Sequence, residues 1–167
     1  MGRSTGYAVM VPLLGLVALL QSTLAPRLAI LGIQPDLVLI GVVVVTLVQG
    51  SHVGLLWAFT GGIWLDLMGG GPLGGSSLAL MAAVLVAGMG HHRFFFQNPL
   101  VPFMAGLLAG IAYGVSLLAL LWLFQGLGPM DVLLERLVLP AAVYDAALML
   151  LATPWLLTLS GRGGVNA

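Results

Sequence analysis

The chain has 167 residues, of which 60% are hydrophobic and only 6% charged, with a formal net charge of zero. Soluble domains carry about 25% charged residues, so the composition excludes a water-soluble fold and makes lipid the solvent. All five basic residues are arginines (Arg3, Arg27, Arg93, Arg136 and Arg162), too few and too scattered for a nucleic-acid surface, and the absence of cysteine removes disulfides, thiolate metal sites and cysteine nucleophiles.

Arg3 precedes an apolar run from Tyr7 to Leu24. A cleaved signal peptide competes for this pattern, but the run is long for one, and its small-residue candidate, Ala25, is followed by Pro26. The run is predicted as a first spanning helix, bent near Pro12 and stopped before Pro26. After a short loop over Arg27–Gln34, Pro35 opens a second helix at a position where a missing N–H does no harm. Asp36 stands beside it, where a negative charge meets the positive end of the helix dipole. The β-branched run Val42–Val45 continues the helix, because a lone strand in lipid leaves its backbone unpaired. A tight turn at Gly50–His52 makes the second and third helices antiparallel neighbours.

In the third segment Gly50, Gly54, Ala58 and Gly62 recur every four residues, and the next step lands on Asp66. Small residues at that spacing form a shallow ridge that lets another helix come close. A carboxylate beside lipid costs about 2.5–3.5 kcal/mol at a helix centre. Asp66 therefore faces protein or a wet pocket, or else reaches water past the adjacent glycine turn Gly69–Gly71. A fourth helix from about Ser76 to Gly90 stacks Ala79, Ala83 and Ala87 on one ridge. His91–Arg93 and Phe94–Phe96 follow as a polar turn and an aromatic interface anchor. Pro99 opens a fifth helix with a second ridge, Gly106, Gly110 and Gly114. Asp131–Leu139 either lies along the interface or begins the sixth helix. Pro140–Leu159 is long enough to span and contains Tyr144, Asp145 and Pro154.

The expected architecture is an all-α integral membrane protein, one domain over residues 1–167. It is a six-helix transmembrane bundle with spans near 7–24, 36–50, 52–68, 76–90, 99–124 and 140–159. The second and fourth spans supply about 15 residues against roughly 20 for an untilted crossing, so local thinning or snorkelling is expected. Six spans place Arg3, Arg93, Arg162 and the three histidines on one side. The positive-inside rule then puts both termini in the cytoplasm.

Little here points to chemistry. Gly69–Gly74 matches the spacing of a dinucleotide fingerprint, but no strand precedes it, and Ser76 stands where a phosphate loop needs lysine. His91 and His92 are adjacent, so on a helix they point about 100° apart. Ser76 and Ser77 fall on the opposite side from every histidine, which defeats a Ser–His dyad. No catalytic, metal or cofactor-binding residue is expected. The buried-acid candidates are Asp66 and Asp145, each either pinning helix packing or meeting a partner. Asp36 and Asp66 are the candidate partner contacts, and Gly50, Gly54, Ala58, Gly62, Gly106, Gly110 and Gly114 the candidate helix-packing residues.

Two stretches carry a family resemblance: LLQSTLAPRLAILGIQPDLVLI from Leu19 and GLLWAFTGGIWLDLMGGGPLG from Gly54. With Gly61, Gly62, Asp66, Gly74 and the Pro35–Asp36–Leu37 triplet, they resemble the rod shape-determining membrane protein MreD; the last third matches only in hydropathy. The resemblance implies a non-catalytic subunit of the bacterial elongation machinery. Its implied partners are the periplasmic scaffold MreC, the cytoskeletal MreB, the glycosyltransferase RodA and a class B penicillin-binding transpeptidase. It also implies a fold similar to the substrate-binding subunits of energy-coupling-factor vitamin transporters. A small-molecule transporter subunit is therefore the alternative. Against it, the first helix lacks the Ala-x-x-x-Ala docking ridge of those subunits, and the chain is poor in the convergent polar groups a vitamin pocket needs.

Overall fold

The computed structural model describes residues 3–24, 27, 29, 33–69, 73–89, 100–125 and 130–161, without the side chains of 3–9, 125, 130–131 and 152–161. The His91–Arg93 turn, the Phe94–Phe96 run, Gly70–Pro72, Ala25–Pro26 and the tail from Arg162 lie outside the described residues, as do the side chains of Asp131 and Pro154.

The described chain is all-helical. α1 (Arg3–Leu24), α2 (Leu37–Gln49), α3 (Ser51–Gly69), α4 (Gly75–Met89) and α5 (Leu100–Gln125) are separate rods. α6 (Met130–Leu133), a π-helical turn (Leu134–Val138) and α7 (Leu139–Gly161) run on as a sixth. The stretch from Asp131 to Leu139, left open by the sequence, is thus the head of the last rod. Pro140 does not start that rod; it sits inside it. A proline there cannot bond back one turn and would crowd the preceding carbonyls. The widened turn just before it, in which the Leu139 N–H bonds to the Leu134 carbonyl, makes room.

α2 lies at the centre. It is apolar along nearly its whole surface, with Gly41 and Val48 left open and most of the rest packed against neighbours. Val38, Leu39, Val42, Val43 and Leu47 are sealed from the surface. α1, α3, α4, α5 and α7 all pack against it. Gly50 ends α2 with φ of 94°, its N–H bonding to the Thr46 carbonyl at 2.9 Å, while its own carbonyl accepts from Gly54 N–H at 3.1 Å to open α3. This corrects the sequence view of Gly50 as a packing residue. A Cβ there would meet nothing within 4 Å, so the positive φ is what calls for glycine.

α3 is inside out relative to a helix in water, and α4 is so in part, since it buries Leu80 and Val84 beside its alanines. α3 buries Gly54, Ala58, Gly61 and Gly62 and exposes Leu56, Phe59, Ile63 and Leu67. α4 buries Ala79, Ala83 and Ala87 and exposes Leu78, Leu85 and Met89. In lipid a leucine loses nothing by facing outward, and close approach of backbones is the gain that remains. Leu100–Phe124 is, among the described residues, the one helix both long and apolar enough to cross a membrane by itself. Met10–Leu24, Leu37–Gln49 and Gly75–Met89 are apolar but shorter.

The glycine positions show how close the rods come. A Cβ on Gly54 would land on the Thr46 side chain of α2, and one on Gly62 on the Ser77 backbone of α4. Along α5, a Cβ on Gly106 would stand 2.9 Å from Met149 Sδ and 3.4 Å from Ala146 Cα. On Gly110 it would stand 3.1 Å from Ala142 Cα, and on Gly114 2.6 Å from a Val138 methyl. Each step of four up α5 thus meets a step of four back along the last rod, Ala146, Ala142, Val138, in a single antiparallel register.

Candidate functional site

A group of polar side chains, Gln21, Asp36, Asp66, Ser76, Tyr113 and Asp145, gathers where the short helices α2 and α4 begin. We call upper the end of the bundle that holds the start of α2, the end of α3 and the start of α4. At 1.5 Å per residue, the 13 residues of α2 cover about 20 Å and the 26 of α5 about 39 Å. α2 therefore starts part-way down the taller rods, level with the middle of α5. Its free N–H groups point into protein there and need partners other than bulk water.

They receive them from three rods. The Asp36 carboxyl caps its own helix, accepting from Leu39 N–H at 2.9 Å. Gln21, near the top of α1, accepts from Val38 N–H at 2.9 Å. Asp145, on α7, accepts from the N–H of Asp36 itself at 2.9 Å across 109 residues of sequence. The Gln21 amide and the Tyr113 hydroxyl also face the Asp36 carboxyl, and Tyr113 reaches Ser76 at the start of α4 as well.

A second cap lies beside the first. Asp66, at the foot of the glycine turn, accepts from Gly74 N–H at 2.6 Å through one oxygen and from Ser76 N–H at 3.1 Å through the other. Gly74, at φ of 93°, turns the chain so that its carbonyl can take the first helical bond of α4, from Leu78 N–H at 2.9 Å. Ser77 Oγ donates to the Phe59 carbonyl at 3.0 Å and ties α4 to α3 at the level of Gly62. Asp66 and Asp145 are each only 5% exposed. What offsets the burial of these carboxyls is backbone N–H groups and the positive ends of two helix dipoles.

The structure thus brings Asp36, Asp66 and Asp145 to one level and directs all three inward. The oxygens of Asp66 that the sequence offered to a partner are both engaged within the chain. Gln21, Ser76 and Tyr113 were not singled out as a group from the sequence. The available signal was weak: each is a polar side chain at or inside an apolar segment, with nowhere to go but another polar group. The cluster accepts and donates hydrogen bonds within the fold and presents no nucleophile–base pair. Among the described residues no group of three or more His, Cys, Asp or Glu is placed to hold a metal ion.

The family described as rod shape-determining protein MreD matches residues 2–161. The chain belongs to the MreD family. It is therefore a membrane protein of bacterial rod-shape determination, in keeping with the large apolar side chains its helices turn outward. No curated protein and no solved structure matches the chain, so the similarity to energy-coupling-factor subunits, and the nutrient-binding alternative drawn from it, find no support.

Proposed function

We propose that this MreD-family chain is a non-catalytic, multi-pass subunit of the bacterial rod elongation complex, supporting lateral peptidoglycan synthesis by holding its partners together in the inner membrane. All six rods cross, so that both termini lie in the cytoplasm and the upper end faces the periplasm. The partners are MreC, RodA, a class B penicillin-binding transpeptidase and the cytoskeletal MreB. The observation that carries this reading is the match to the rod shape-determining family over residues 2–161. The burial of glycine and alanine in α3 and α4, with leucines turned outward, supports the membrane setting of this reading: small residues close the packing inside the bundle while leucines face lipid.

In this reading Asp36 and Asp66 serve docking indirectly. They fix the starts of α2 and α4 inside the bundle, and so the packing of the rods that carry the periplasmic end, without offering free carboxylates to a partner. The test is tagged protein drawn from native membranes together with complementation of cells that lack their own MreD. Recovery of MreC, RodA and the transpeptidase with restored rod shape is expected. Restored shape with none of these partners recovered would overturn the assembly role. Topology is tested separately by labelling single cysteines at His52 and Leu73 from the two sides of the membrane, which must report opposite faces.

A further inference from the structure

We propose that the outward face of the last rod pairs with the same face of a second copy of this chain, in a two-fold dimer in which Glu135 of each copy meets Arg136 of the other within the membrane.

The fold leaves this face uncovered. The last rod packs on α5 through Val138, Ala142, Ala146 and Met149, and reaches α2 at Asp145. Among the described residues α1, α3 and α4 do not lie against it. Turned away from those contacts are Glu135, Arg136, Leu139, Val143 and Ala147, all exposed. Leu139, Val143 and Ala147 follow one another at steps of four, which keeps them on one stripe of the helix. Glu135 and Arg136 stand at the head of the stripe, on the π turn. Neighbours in a helix diverge by about 100°, and somewhat less in a π turn, so two that both point outward must flank the outward direction, one on each side.

These charges do not sit at a rod end in water. Val138 stands at the level of Gly114, and Glu135 and Arg136 lie within one turn above it. The apolar span Leu100–Phe124 has 25 residues, about 38 Å, against about 30 Å of hydrocarbon. With that span centred in the bilayer, the pair lies about 8 Å inside the apolar layer. Among the described residues neither side chain makes a hydrogen bond or an ion pair. A charge facing lipid at that depth is costly and calls for a partner.

The second copy fits by charge. All copies insert the same way up, so a two-fold axis along the membrane normal brings identical residues together at one depth. Half a turn about that axis lays the Glu135 side of one rod against the Arg136 side of the other. Both flanks are matched at once, as are the charges that flank the seam of a parallel coiled coil. Ala147 lets the two rods come close below the charged pair. A lipid phosphate would satisfy Arg136 and repel Glu135. A foreign helix would have to carry the opposite pair at the same depth, which a second copy has by symmetry.

The chain contains no cysteine, so single cysteines report contact between copies without background. In native membranes Val143→Cys and Ala147→Cys are expected to form a disulfide dimer under mild oxidation. Leu56→Cys and Leu85→Cys, outward on α3 and α4, are expected to stay monomeric. In the Ala147→Cys background, Glu135→Arg or Arg136→Glu alone sets like charges across the seam and should cut the dimer several-fold. The double reversal should restore it. Co-expression of the two single reversals under different tags should give the mixed dimer in excess over either self-dimer. If circular dichroism shows that a single reversal does not fold, Glu135→Gln and Arg136→Gln should each weaken the dimer by a smaller factor. The proposal is overturned if the α7 cysteines cross-link no more than those on α3 and α4, or if neither the double reversal nor the mixed pair recovers the dimer. It is overturned equally if Arg136→Glu matters while Glu135→Arg does not, the mark of a lipid phosphate on Arg136, or if Ala147→Cys is captured by a different protein instead of a second copy.

Discussion

Three glycine-to-alanine substitutions separate packing from helix propensity on this one chain. A Cβ at Gly41 would meet nothing within 4 Å. Gly41→Ala should therefore be neutral or stabilising by up to about 1 kcal/mol, the intrinsic preference of alanine over glycine in a helix. At Gly110 the new Cβ would stand 3.1 Å from both Ala142 Cα and Cβ, where 3.4 Å begins ordinary contact. α5 and α7 must part by a few tenths of an ångström, an overpacking strain of about 1 kcal/mol that cancels the propensity gain. At Gly62 the Cβ would fall on the Ser77 N and Cα, and backbone cannot rotate out of the way. Overpacking of about 1–3 kcal/mol is joined there by strain on the two bonds Asp66 makes to Gly74 and Ser76, each worth about 1 kcal/mol. After the propensity gain, Gly62→Ala should lose about 2–4 kcal/mol. The assay is equilibrium unfolding in mixed micelles by titration with a denaturing detergent, followed by circular dichroism. The expected order is Gly41→Ala at or above wild type, Gly110→Ala within about 1 kcal/mol of it, and Gly62→Ala far below. A Gly62→Ala protein as stable as wild type would refute the claim that α3 and α4 touch backbone to backbone.

Asp66→Asn keeps the shape of the side chain but offers one acceptor where two N–H groups need one each, so it should lower stability by about 1–3 kcal/mol in the same titration; an unchanged midpoint would mean that the cap on α4 is not made. Gln21→Ala leaves the Val38 N–H without its acceptor in the interior and should cost a similar 1–3 kcal/mol, roughly, and Gln21→Glu, which keeps that acceptor but sets a second carboxyl against that of Asp36, should also be less stable than wild type. In intact membranes, single cysteines at Leu56, Leu85 and Leu150 should resist a charged maleimide and react once detergent is added, because these side chains face outward into lipid; ready reaction in the membrane would contradict the inverted burial.

Much of the layout is legible in the residues. Asp36 at the start of α2 and the glycine at position 50 each mark a chain reversal for a local reason: a carboxyl that can cap the helix, and a residue free to take the left-handed conformation a tight turn needs. The glycine ridges are legible as well, since spacing by four is a property of one helix alone. What the ridge on α5 touches is not: Ala142 and Ala146 have the same spacing of four, but they lie about thirty residues further on and nothing local says which ridges pair. The head of the last rod was ambiguous because proline argues for a start, and only the π turn that absorbs it shows the helix running through.

The capping cluster is the clearest division between the two. Composition and hydropathy by themselves determine that this chain lives in lipid as a set of apolar helices and that it carries a handful of acids needing company. They act residue by residue or turn by turn, so sequence suffices for them. That Asp145 takes the N–H of Asp36, that Gln21 takes that of Val38 and that Tyr113 joins Asp36 to Ser76 was decided only by the tertiary arrangement. α2 is too short to reach the upper surface, and its unpaired N–H groups must be met by whatever side chains the surrounding rods carry at that depth.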